Sequence, residues 1–329
     1  MTVPLSILDL AHIGKGETAR DSFEASVRMA QLAEKWGYRR IWYAEHHNMP
    51  TIASSATSVL IAHVAAHTST IRLGAGGIML PNHSPLTIAE QFGTLETLHP
   101  GRIDLGLGRA PGSDQKTMRA LRRDPSSADS FPQDVLELQA YLRGDSRIPG
   151  VDAIPGKGTD VPLYILGSSL FGAKLAALLG LPYAFASHFA PQALEEAVQL
   201  YRSEYQPSEQ HPEPHVIAGV GVIAADTTAE AVDMFEKAKR QRVVQMVGRG
   251  RTFTEEEIDM LLDSPAGMQV LTMLRYTAVG TPDEVRTYLD AFTERAQADE
   301  LIVVSTAPGR EAWLRSLELV AQVSGLVPA

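Results

Sequence analysis

The 329-residue chain contains no cysteine. That excludes disulfides, thiolate metal sites and a cysteine nucleophile. It also suits a reducing compartment, so a cytoplasmic location is expected. Long hydrophobic runs are missing too. No apolar stretch approaches the ~18 residues of a membrane span, so no membrane association is expected. The opening MTVPLSILDL lacks the basic and then apolar segments of a signal peptide. Positive charge is scarce: 29 Lys and Arg against 39 Asp and Glu give a net charge of -10. Arg119, Arg122 and Arg123 form the one local basic cluster. That is too little for a phosphate-binding stripe, so nucleic acid is not an expected partner.

What is present is an ordinary globular composition, 44% hydrophobic, with a strict rhythm. Short apolar runs alternate with amphipathic stretches. Strands are expected at 5–10, 40–44, 71–80, 103–107, 163–166, 183–187, 216–224 and 301–305. Helices are expected at 23–36, 54–67, 85–98, 134–142, 171–179, 192–205, 230–244 and 311–323. Ser54 or Ser55 is an expected N-cap, and Thr281-Pro282-Asp283-Glu284 reads as a capping box with proline in the first turn. Alternation of this kind implies a parallel sheet with helical crossovers. Eight units favour a closed (β/α)8 TIM barrel over an open sheet, in one domain spanning 1–329. The segments 146–160 and 246–273 read as insertions at the C-terminal mouth, the second with a helix at 255–262.

In such a barrel, chemistry gathers where strands end and loops begin. After strand two comes Glu45-His46-His47-Asn48. A histidine at a barrel mouth can act as general acid or base, although an arbitrary histidine pair is more often merely solvated or structurally bonded. No metal spacing accompanies the pair, so no metal is expected. Strand three carries Gly74, Ala75, Gly76 and Gly77. Glycines inside a strand point to the close approach of a ligand or backbone, or to a β-bulge. Strand four ends in Gly106-Leu107-Gly108-Arg109-Ala110-Pro111-Gly112. Pro111-Gly112 prevents the direct helix start that a dinucleotide loop needs, while Arg109 can grip a phosphate with two bonds. Strand five leads through Ser168, Ser169 and Gly172 into a helix, where free N–H groups and hydroxyls suit an anion. Taken singly, Arg109 could be a surface ion pair and Ser168-Ser169 a plain cap; on adjacent strands they favour a phosphate.

Tyr43-Ala44-Glu45-His46-His47, then Leu73 to Pro81, Pro100 to Arg109, Leu166 to Ser169 and Val279 to Glu284, together resemble the bacterial-luciferase-like flavin monooxygenases. The resemblance covers nearly the whole chain. It implies a TIM barrel that binds reduced FMN and uses O2 to oxidise a small organic substrate through a C4a-peroxyflavin. It places His46 at the catalytic histidine, with Glu45 beside it as an orienting group. Ala75, Gly76 and Gly77 fall under the flavin ring, with a cis peptide between the two glycines. Arg109 and Ser168 fall at the phosphate; Ser169 and Gly172 join them from helix-end geometry. Because no dinucleotide fingerprint is present, a separate flavin reductase is expected to supply the reduced FMN; the 54–67 helix is rich in Ala and Ser, which permits close approach, so a homodimer through helices two and three is expected. Luciferase proper carries a cysteine where Gly108 stands, and the 246–273 segment does not match its mobile loop. A non-catalytic FMN-binding barrel and an F420-dependent dehydrogenase are the alternatives.

Overall fold

The computed structural model describes residues 3–110, 112, 114–248 and 250–328; Pro111 lies outside them. Eight parallel strands close into a barrel: β1 (Leu5–Asp9), β2 (Arg40–Tyr43), β3 (Arg72–Met79), β4 (Ile103–Gly108), β5 (Leu163–Gly167), β6 (Tyr183–Phe185) and β7 (Val216–Ala224) follow in order. The ring closes through β9 (Glu300–Ser305), which pairs with both β7 and β1. A further short strand, β8 (Thr277–Gly280), pairs with the last residues of β7. It falls outside the expected eight, because four residues with mixed burial carry little periodicity.

Helices wrap the outside: α1 (Ala19–Trp36), α2 (Thr57–Ala65), α3 (Pro85–Leu98), α4 (Gln115–Ala120), α5 (Phe131–Arg143), α6 (Leu170–Leu179) and α7 (Leu194–Glu204). They are followed by α8 (Thr228–Val247), α9 (Glu255–Asp263), α10 (Pro265–Thr272), α11 (Pro282–Ala296) and α12 (Arg310–Val323). Caps fix several starts. Thr281 and Glu284 form the expected capping box with Pro282 in the first turn. Thr18 and Asp21 form another that begins α1 four residues earlier than its apolar spacing suggests. For α2 the expected serine cap is absent: Ala56 holds the N-cap, and the Ser54 hydroxyl instead donates to the Ala44 carbonyl at 2.5 Å.

Alternate strand residues face opposite ways. Ile7, Ile41, Leu73, Leu105 and Ile165 pack outward against the helices, whereas Leu8, Trp42, Tyr164, Ala184, Ile217 and Ile302 fill the barrel. The barrel's floor is ionic. Arg40, at the start of β2, reaches Asp104 at 2.7 Å and Glu300 at 2.9 Å, and donates to the Tyr164 hydroxyl at 2.7 Å. Ser6 donates to Glu300 and the Trp42 indole to Asp104. Every partner is buried, so the charges are matched inside rather than left for water. With the floor filled in this way, the loops at the strand C-termini are left to build a site.

Candidate active site

β2, β4 and β5 run parallel in the barrel, so the residues that follow them share one rim. Glu45, His46, Arg109, Ser168 and Ser169 all stand there. They fall into three groups.

The first group is the β3–β4 wall. The Gly76–Gly77 peptide is cis, and the register with β4 shifts between Gly76 and Ile78. A Cβ on Gly76 would lie 2.8 Å from the Trp42 Cβ, and one on Gly77 would lie 2.7 Å from the Gly106 carbonyl oxygen. These glycines are therefore demanded by protein atoms, with a bulge as well. Ala75 is buried on the outward face, against the helix layer.

The second group sits at the start of α6. Ser169 holds the N-cap position but makes no side-chain cap. Neither the Ser168 nor the Ser169 hydroxyl is engaged among the described residues. Beside them Arg109 lays its guanidinium 4.2 Å from the Phe171 ring centre, and its Nε donates to the Ala128 carbonyl at 3.3 Å. The nearest acid, Asp129, is 4.0 Å away and largely exposed. Gly172 packs at the helix's first turn, where a Cβ would meet Tyr183 and Gly167 at 3.3 Å. Uncapped N–H groups, two free hydroxyls and a loosely held guanidinium are donors that could hold a phosphate. A phosphorylated flavin fits these donors.

The third group holds the imidazoles. Glu45 is buried, and its carboxylate accepts from the Met79 N–H at 2.9 Å and from Asn82 at 3.1 Å. It also bonds His47 at 2.8 Å and His83 at 3.0 Å. Glu45 is not hydrogen-bonded to the His46 ring that its position beside it suggests; its imidazole partners are His47 and His83. Burial pushes its pKa up, but the bonds from His47, His83 and Met79 outweigh that and hold it at about 2. The half-buried His46 keeps an Nδ1 with no partner among the described residues. Burial lowers its pKa, with His12 and Arg242 adding to the lowering; a hydrogen bond to the Ala44 backbone and the charge of Glu45 oppose it without reversing it. His188, also with an unpartnered Nδ1, is driven down to about 4 by burial, Arg242 and His46. Both rings are thus neutral near pH 7. No hydrogen bond joins His46 to Arg109 among the described residues; they follow β2 and β4 respectively.

His12, His83, His188 and Arg242 were not singled out in the sequence. Three of these follow strands β1, β3 and β6, the very position that drew attention to His46. Arg242 lies mid-helix in α8, where one cation among many polar residues gives no signal.

Comparison with known proteins bears on the family and the fold. The family model of the luciferase-like monooxygenases matches residues 3–300. A luciferase-like monooxygenase of Escherichia coli strain K12 is 48% identical over 98% of this chain and 97% of its own. The crystal structure of apo-MsnO8 superposes with a TM-score of 0.88 at 36% identity, covering 100% of this chain and 99% of the other. The oxygenating constituent of 3,6-diketocamphane monooxygenase from Pseudomonas putida, a type II Baeyer–Villiger monooxygenase solved in complex with FMN, shares the fold. It is 18% identical with a TM-score of 0.72, over 99% of each chain. This (β/α)8 barrel belongs to the luciferase-like monooxygenase family.

Proposed function

We propose that this barrel is an FMN-dependent monooxygenase acting on a small organic substrate. The observation that carries the reading is the phosphate seat of Arg109 and the uncapped α6 start on the same rim as an imidazole with a free nitrogen. Arg109, Ser168, Ser169 and the first turn of α6 would hold the cofactor phosphate. The glycine wall of β3 would back the ring. The reduced flavin, when bound, supplies the electron pair that lets O2 oxidise the substrate. His46, neutral near pH 7, holds or accepts a proton at Nδ1 as charge develops beside it. Glu45 does not touch the reacting groups in this scheme; it fixes the loop that carries His46. A separate reductase would supply the reduced cofactor.

The test is a titration of reduced FMN combined with O2-dependent turnover in the presence of a reductase. Arg109→Ala should weaken FMN binding by roughly tenfold or more, the worth of a charge-assisted phosphate contact. His46→Ala should leave that affinity unchanged and lower turnover by about 10²-fold or more. If the wild-type chain consumes no O2 beyond the rate of free reduced flavin, it is a flavin-binding barrel without catalysis. Preferential binding of F420 in competition would make it a dehydrogenase of that type.

A further inference from the structure

A second cation at the mouth forms no ion pair among the described residues. Arg242 projects from α8 into a cavity of about 190 Å³ lined by the ends of β1 and β9 and by α8. Among the described residues it forms no ion pair and no hydrogen bond, and its Nε is buried without a partner. The Phe189 ring lies 6.0 Å from the guanidinium carbon. The other charges of the cavity are already spoken for. Arg310 pairs with Glu17 at 2.7 Å. Asp9 accepts from the Ala11 N–H at 2.8 Å and the Ser26 hydroxyl at 2.6 Å. Gln241 and Gln245 lie on the same face of α8 at helical spacing and line the same space.

A half-buried guanidinium with five donors and no acceptor is a costly thing to keep unless a ligand supplies the acceptor. Asp9 and Glu17 line the same cavity, but neither pairs with Arg242: Asp9 is held by Ala11 and Ser26, and Glu17 by Arg310. The imidazoles that share the cavity or face it, His12, His46 and His188, have lowered pKa values, and Arg242 contributes to each after burial. An anion arriving here would meet the unpaired guanidinium of Arg242 beside neutral rings, within the electrostatic reach of His46, with Arg310 already neutralised by Glu17 and the Asp9 carboxylate held by Ala11 and Ser26.

We infer that Arg242, assisted by Gln241 and Gln245, anchors an anionic group of the substrate, so that the compound oxidised is a small organic carboxylate or comparable oxyanion. The inference deepens the monooxygenase reading above and rests on it. The phosphate seat is at Arg109 and α6, so Arg242 is not needed for the cofactor.

The experiment compares hexanoate with its neutral counterpart hexanamide by calorimetric titration, on the wild-type chain and on Arg242→Gln and Arg242→Lys, with an FMN titration of each. The wild-type chain should favour hexanoate by about tenfold, as one charge-assisted contact would give. Arg242→Gln should lose that preference at unchanged FMN affinity, which also shows that the variant is folded. Arg242→Lys should keep part of it. Three results would overturn the inference: hexanoate binding no better than hexanamide in the wild type, a preference that survives in Arg242→Gln, or FMN affinity that falls along with it. Failure of the wild type to bind FMN would instead refute the flavin reading, leaving the hexanoate comparison intact.

Discussion

Replacing Glu45 by Gln should remove a pH-dependent part of the protein's stability, and the size follows from its surroundings. The folded carboxylate sits at about 2 against an ordinary 4.5. The gap, 4.5 − 2 = 2.5, corresponds to about 3 kcal/mol at 1.36 kcal/mol for each pH unit. A depressed carboxylate pKa means that the unfolded chain takes up its proton first as the pH falls. The contribution is therefore complete above about pH 4.5, shrinks below it and is gone near pH 2. His47 is raised by the same contact, its bond to Glu45 outweighing burial; this is the other face of one interaction and is counted once. Urea unfolding of the wild type and Glu45→Gln, measured from roughly pH 7 to pH 3, reads the difference directly. The two curves should stand about 3 kcal/mol apart at neutral pH and converge as the carboxylate protonates. Parallel curves would show that the carboxylate is not held by His47 and His83 in solution, and the geometry of the mouth would need a different account.

Arg40→Met should cost about 3–5 kcal/mol in urea unfolding, because buried Glu300 would keep only the more distant Arg39 and His215 as ion partners, and buried Asp104 only Arg72; FMN affinity should not change, and a cost below about 1 kcal/mol would refute the view of the floor as a matched ion cluster. Gly106→Ala should destabilise by about 1–3 kcal/mol, since the new Cβ would lie 2.3 Å from the Ala75 carbonyl oxygen and 2.5 Å from Leu166 Cδ1. An unchanged melting temperature for that variant would mean that the β3–β4 contact is looser than described.

The barrel was legible because strands buried on both faces leave continuous apolar runs, and helices between them leave 3.6-residue spacing. β8 was not, being four residues long and leaning on β7 alone. The Arg109 and α6 grouping could be read because strand order makes β4 and β5 neighbours, so two separate weak signals reinforce each other. The true partners of Glu45 could not. His83 lies 38 residues downstream, and only the fold shows that it reaches the same carboxylate as His47. Arg242 was invisible for the opposite reason: its interest lies in contacts it does not make, and a sequence records no absences of that kind.

The ionic floor has a consequence for how such a protein can change. Arg40, Asp104, Glu300 and Tyr164 satisfy one another without help from any loop at the other end. Folding and chemistry are thereby assigned to opposite ends of the same strands. Substitutions among the connections above can redirect what is oxidised while the foundation beneath them goes on specifying how the chain closes.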